Sequence, residues 1–273
     1  MWIIGIVLIL VGVALLFVRQ SQQGKLRQIV GVETSTAKGL IGLAQSVRQD
    51  LEKLGQTGEG FHQIVEVKGA IRADSPLTSE IAKQPCVYYD ASVIREYEET
   101  YWETNSQTNQ RVQRTRRSSE TVSHDSQSTS FWIEDSSGRI KVNPEGADLD
   151  SVQVVDRFEP AEAAQGGVLS FGGFRFDLAG FSLGGPGTRT LGYRFKERII
   201  PLDRPAYVLG EVVDDGAELV IQKPREGGRR FIISLKSEEE LVRSTGSTVQ
   251  WLLWGAVGCG VVGVALTVIG VVR

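Results

Sequence analysis

Two stretches of this chain carry no charged side chain, and they sit at its two ends. Met1–Val18 (MWIIGIVLILVGVALLFV) and Trp251–Val272 (WLLWGAVGCGVVGVALTVIGVV) are apolar, and every charged side chain except Arg273 lies between them. At ~1.5 Å of rise per residue, a helix of about 20 residues reaches across the ~30 Å hydrocarbon core of a bilayer. A helix also satisfies its own backbone hydrogen bonds, which lipid cannot do for it. The expected fold class is therefore a membrane protein of the α+β type. Two transmembrane helices bracket a β-rich soluble domain with an N-terminal amphipathic helix, tethered at both ends to one face of a bilayer.

A cleaved signal peptide would carry a basic residue ahead of its apolar core and small residues at the cut. Here Arg19 and Gln20 follow Val18 directly, so an uncleaved anchor is expected. Lysine and arginine near the span ends set orientation. Arg19, Lys25, Arg27 and Lys38 follow the first span, and Arg229, Arg230, Lys236 and Arg243 precede the second. Against these, the outer flanks offer only Arg273, which places the soluble domain in the cytoplasm.

The polar middle divides by pattern into residues 19–60 (a juxtamembrane linker and a helix), 61–236 (the β-rich domain) and 237–250 (a short helix). From Thr36 to Leu54, Leu40, Leu43, Ala44, Val47, Leu51 and Leu54 recur at three- and four-residue steps, one apolar stripe on a helix. The period then changes to two. Strands are expected over 64–71, 86–97, 131–135, 139–142, 193–200, 206–213, 218–221 and 231–234. Val65–Ile71 and Tyr207–Val213 share a valine- or tyrosine-led strand form with an internal glycine, the mark of two similar small barrel-like units. Residues 103–130, with Val112 and Val122 their only aliphatics, are expected to be a mobile hairpin or disordered loop, because they bury too little apolar surface to offset chain entropy. Residues 163–192 hold nine glycines among Phe171, Phe174, Phe176 and Phe181, a glycine-aromatic insertion. Ser237 and Glu240 have capping-box spacing for the helix leading to the second span.

Chemistry-bearing residues are few. The net charge of -3 gives no footprint for nucleic acid. Zinc needs four converging Cys or His ligands. The whole supply is Cys86, Cys259, His62 and His124, so no metal and no cofactor are expected. Cys259 lies inside the second span and cannot pair with Cys86. His124-Asp125-Ser126 brings three catalytic residue types together, but sequence neighbours on a strand do not face one another. Gly184-Gly185-Pro186-Gly187 lacks the lysine of a phosphate loop and reads as a turn. Arg95 with Glu96, Glu98 and Glu99, and Glu197 between Lys196 and Arg198, read as solvated strand faces. No catalytic residue is expected.

The order of features resembles a known family. A span is followed by Val67-x-Gly69, Pro76-Leu77 and Pro85-Cys86-Val87-Tyr88-Tyr89. Next come Phe131-x-Ile133-x-Asp135-x-x-Gly138, Tyr193-x-x-x-Glu197-x-x-Ile200-Pro201 and Tyr207-Val208-Leu209-Gly210-Glu211. Lys223-Pro224 and Phe231-Ile232-Ile233-Ser234 precede a second span. This is similar to the GIDE-type family, the prokaryotic relatives of the mitochondrial ubiquitin ligase Mulan, in which two spans bracket a "beside-a-membrane" domain. The resemblance implies a ubiquitin-protein transferase. In the ligase a RING domain with closely spaced zinc ligands follows the second span. No such ligand set exists in these 273 residues, so a family member without the RING is expected. The expected role is then a non-catalytic interaction or scaffolding module, with the bilayer and an unknown protein as partners. A ligase, or a module binding lipid or a small ligand, stands as the alternative. The family motif residues Gly69, Pro76, Leu77, Cys86, Tyr88, Tyr89, Asp135, Gly138, Tyr193, Glu197, Pro201, Gly210 and Pro224 are expected to be structural. By analogy with the mitochondrial ligase, the domain would lie on the side opposite to the cytoplasm, against the count of basic residues.

Overall fold

The computed structural model describes residues 2–30, 32–54, 60–104, 110–164, 167–171, 173–178, 187–214 and 218–272. In chain order the elements begin with α1 (Trp2–Val30), β1 (Thr34–Ser35), α2 (Ala37–Lys53), β2 (His62–Arg72), β3 (Leu77–Thr78), β4 (Pro85–Thr104) and β5 (Arg111–Ser128). They continue with β6 (Phe131–Glu134), β7 (Arg139–Val142), β8 (Asp148–Asp150), β9 (Val152–Pro160) and a 3-10 turn at Ala161–Ala163. The last are β10 (Val168–Phe171), β11 (Phe174–Asp177), β12 (Thr188–Pro201), β13 (Pro205–Asp214), β14 (Leu219–Gln222), β15 (Ile232–Ser234) and α3 (Glu238–Val272).

The chain forms two compact units. The first comprises Met1–Gly69, Ile133–Leu149 and Pro205–Arg273; the second comprises Ala70–Trp132 and Asp150–Arg204. The second is thus assembled from two excursions out of the first.

The centre of the first unit is a ring of strands, β2-β6-β7-β14-β13, closed by pairing of β2 with β13. Numbered along the chain its order is 1-2-3-5-4, with β7 and β14 parallel, a Greek-key barrel of the OB type. Closure leaves the ring without an open edge. Val65, Val67, Ile133, Ile140, Val142 and Ile221 are buried on its strands. The two glycine-containing strands singled out in the sequence are therefore not the marks of two barrels. They are β2 and β13, neighbours in one barrel, each with its glycine at a close backbone crossing. A Cβ on Gly69 would lie 2.5 Å from the Glu134 carbonyl oxygen, and one on Gly210 would lie 2.8 Å from both Ile221 and Phe231.

α2 packs on this unit through Ala37, Leu40 and Ala44, the inner edge of its stripe, while Leu43 and Leu54 stay exposed. Thr36 caps it, accepting from the Gly39 N–H at 3.2 Å. Ser237 and Glu240 form the expected capping box at the start of α3, with reciprocal contacts of 3.2 and 3.3 Å.

α1 and α3 are each long and apolar enough to cross a membrane, and only 11 % of each apolar window is buried. A core helix of a soluble protein would be mostly covered. The two run antiparallel: Gly5 faces Gly263 and Thr267, Gly12 faces Ala256 and Cys259, and Leu15 faces Gly255. A Cβ on Gly5 would sit 2.6 Å from the Gly263 carbonyl oxygen, so the small residues are what let the backbones approach. Neither helix stops where the apolar run stops. α1 continues through the polar linker to Val30, and α3 joins residues 238–250 to the span without a break. No proline interrupts either run, and a helix already nucleated propagates at little cost.

The second unit is a sheet in the order β3-β4-β12-β9, with β5 also paired to β4. Its core gathers Cys86, Tyr89, Val93, Tyr193, Phe195 and Ile199. The β10–β11 hairpin contributes Leu169 and Phe174, and the Phe174 ring meets Phe195 edge-on at 5.8 Å. Much of the glycine-aromatic insertion is therefore folded; Phe181 and Gly184 to Pro186 lie outside the described residues. Of the two expectations for residues 103–130, a hairpin or a disordered loop, the described residues form strands of a hairpin. Residues 103–104 complete β4 and residues 111–128 are β5, paired from Tyr88↔Ser128 to Thr104↔Arg111. Cross-strand ion pairs stand in for apolar burial: Arg114–Glu103 at 2.8 Å, Arg117–Glu98 at 3.2 Å, and Arg116 with Glu99. The inner part of β4 is held by the core, and the outer part is templated on it.

Candidate functional site

Two clusters centre on buried carboxylates, one in each unit. In the second unit, Glu197 of β12 is fully buried, contrary to its reading as a solvated strand position. Its oxygens accept from the Ser79 hydroxyl at 3.1 Å and from the N–H groups of Ile81 and Ala82 at 2.6 and 2.7 Å. The Ser79 oxygen in turn accepts from the Gln84 N–H, and Lys83 adopts a left-handed φ of 56°. The carboxylate thus moulds the turn between β3 and β4. The flanking charges misled the sequence reading, because they alternate onto the opposite face of β12 while Glu197 points inward.

Cys86 begins β4 beside this turn and is fully buried. Burial, together with the Glu197 charge, pushes its thiol up to about 11. It is therefore a packed apolar group and a poor nucleophile. Around it, Leu77 pairs with Cys86 across β3–β4, Pro201 ends β12 opposite Cys86, and exposed Pro76 precedes β3. Tyr88 is half-buried opposite Ile200. The Tyr89 hydroxyl donates to Asp125 at 2.7 Å, and Tyr193 fills the core beneath. Burial and the Asp125 hydrogen bond raise the Tyr89 hydroxyl above the ordinary range.

In the first unit, Glu66 of β2 is fully buried. It accepts from the Thr34 hydroxyl at 2.5 Å and from the Tyr207 hydroxyl at 3.1 Å. The Lys68 ammonium lies 3.2 Å from it and 2.7 Å from Glu238 at the start of α3. Glu238 is the main cause that holds Lys68 above the ordinary lysine value, against its partial desolvation. Burial, then the Glu66 charge, drives the Tyr207 hydroxyl far upward. A cleft of about 290 Å³ opens here, walled by Gly69, Pro205, Ala206, Tyr207 and Leu235 and rimmed by Lys68 and Glu238. Sequence reasoning missed this cluster. The available signal was a charge flanked by valines, Val65-Glu66-Val67, in a strand buried on both faces.

A third carboxylate, Asp135, closes the β6–β7 hairpin. It accepts from the N–H groups of Ser137 and Gly138 at 2.7 and 2.9 Å, and from the first N–H of α2, on Ala37, at 2.8 Å. Burial opposes its charge, but the Ser137 hydroxyl and these N–H groups outweigh it and hold the carboxyl below its ordinary value. Gly138 lies against Ala37 in the same turn, and Pro224 is buried after β14.

The two histidines are far apart in role. His62 faces Glu211 at 3.6 Å, and His124 contacts Asp90 at 2.9 Å while Asp125 serves Tyr89. His124, Asp125 and Ser126 are thus not a relay. Among the described residues no three His, Cys, Asp or Glu side chains could hold a metal ion.

With this geometry in view, comparison with known proteins is informative. A family profile described as GIDE, E3 ubiquitin ligase, matches residues 99–270, more than half of the chain. The chain belongs to the GIDE family. Two curated relatives from Arabidopsis thaliana resemble this GIDE protein: E3 ubiquitin-protein ligase SPL1 at 28% identity over 142 residues, and E3 ubiquitin-protein ligase SP1 at 31% over 146. Each match covers 50% of the chain but 37% and 42% of the relatives, so the chain spans less than half of either. No solved structure matches it. The match takes in Asp135, Glu197, Tyr207 and all but the last two residues of α3, so residues that mould the fold fall within the matched region.

Proposed function

We propose that this GIDE protein is held in a bilayer by α1 and α3, and that its β-rich domain recruits protein partners there as a non-catalytic, ubiquitin-ligase-related scaffold. The observation that carries this reading is the antiparallel helix pair. Its Gly-on-Gly contact brings both ends of the intervening domain to one side of the pair, and its outer faces are bare apolar surface. In water such a surface would be an association site; in lipid it is at rest. The buried Glu197 and Glu66 and the half-buried Asp135 support the non-catalytic part, since each holds loops, turns or neighbouring strands together. Eight basic side chains near the inner span ends favour a cytoplasmic domain.

The family description favours a second reading, in which the chain takes part in ubiquitin transfer itself. Two measurements separate them. Cross-linking in intact membranes, with the full chain as bait, should capture protein partners specifically. Purified chain mixed with a charged ubiquitin-conjugating enzyme should leave the rate of discharge unchanged. Accelerated discharge, reproducible after removal of contaminating ligase, would establish the second reading instead.

A further inference from the structure

β5 is an edge strand: among the described strands it pairs only with β4, and nearly all of its residues are exposed. Its 18 residues contain neither proline nor glycine. Long bare edges are normally blunted by proline, a bulge or repelling charge, because unpaired backbone groups template another strand; β5 has no proline, and its charges are of a pattern that a second copy can match. The single irregularity lies at Val122, where Val93↔Ser123 gives way to Ile94↔Thr121. The stretch from Arg111 to Thr121 is regular.

Charge along this edge is segregated. Arg111, Arg114, Arg116 and Arg117 occupy its first half, and Glu120 and Asp125 its second. A parallel partner of the same sequence would set arginine against arginine; an antiparallel one sets arginine against carboxylate. A twofold axis normal to the sheet requires facing residues to share a face, which restricts the registers. Centring the axis on Ser118 places Arg116 opposite Glu120 of the second copy. On the same face Arg116 already pairs with Glu99, and Glu120 with Arg95 at 2.6 Å. The four strands would then carry an unbroken alternating row: Glu99, Arg116, Glu120 of the second copy, Arg95 of the second copy. The axis repeats that row in mirror order. Ser118, small and half-buried, meets itself at the centre.

We infer that β5 pairs antiparallel with β5 of a second copy of this chain about Ser118, joining two five-stranded sheets into one across a closed twofold interface. Facing Cα atoms in such a pair lie about 4.5–5.5 Å apart, within the Cα range that a disulfide spans.

The test uses the whole 273-residue chain in lipid nanodiscs, with Cys259→Ala to remove the half-buried helix thiol. The particle mass should be that of two chains. On mild oxidation Ser118→Cys should give a covalent dimer in most of the population. Thr115→Cys and Thr121→Cys should link poorly alone but link to each other when mixed. Ser118→Lys, opposite Tyr97 in its own sheet, places two ammonium groups face to face on the axis and should weaken dimerisation at least tenfold without lowering the melting temperature. A single-chain mass, equal cross-linking of Ser118→Cys and Thr115→Cys, or a dimer indifferent to Ser118→Lys would each overturn the inference.

Discussion

Glu197 shows how little of a residue's role its sequence neighbours reveal. Between Lys196 and Arg198 it looks solvated, yet it is sealed in the core, binding one hydroxyl and two N–H groups. Removing the carboxylate strands those donors. Glu197→Ala should cost about 3–5 kcal/mol in denaturant unfolding, the range for breaking a buried charged network. Glu197→Gln, which keeps one acceptor, should cost less. Equal and small losses for both would mean that the turn holds itself. Cys86 sets an alkaline limit. Its folded-state value, about 11, exceeds the ordinary 9.0, so its share of stability is complete below about pH 9 and is lost as pH rises toward 11. Thiol reagents at pH 8 should leave it unmodified until the chain is unfolded. Asp135 works in the opposite sense: its lowered carboxyl stabilises the fold above its ordinary 3.8, and that share is lost as pH falls below it.

Elements were read from the sequence wherever periodicity was strong. The stripe of α2 and the strands over 131–135 and 139–142 appear where expected, because each depends on contacts within a few residues. β5 was not legible. Its stability comes from pairing with a strand already anchored in a core, a non-local cause that composition cannot report. The consequence is a graded sensitivity. Arg116→Ala or Arg114→Ala, at exposed ion pairs, should each cost under about 1 kcal/mol. Asp135→Ala, which strands three N–H groups and frees the start of α2, should cost about 1–3 kcal/mol in unfolding experiments. If the arginine changes cost as much as the aspartate change, the ribbon would be part of the cooperative core, not a graft upon it.

At the scale of the molecule, two apolar ends and the order of family motifs were enough to read a strand-rich domain between two apolar helices, and the family. The interleaving was hidden. One barrel is interrupted twice, and its excursions build a second unit, a topology that depends on pairings far apart in sequence such as β2 with β13. The central claim is that both ends of the chain meet in one bilayer as an antiparallel pair. A Cβ on Gly12 would lie 3.6 Å from that of Cys259, which is disulfide distance. The decisive measurement is oxidation of a Gly12→Cys variant in alkaline carbonate-washed membranes, followed by proteolysis of the soluble domain. The account predicts that the protein stays in the washed pellet and that its two end fragments remain joined until reductant is added, with no joining for Val11→Cys. Release into the wash, or end fragments that separate without reductant, would contradict it.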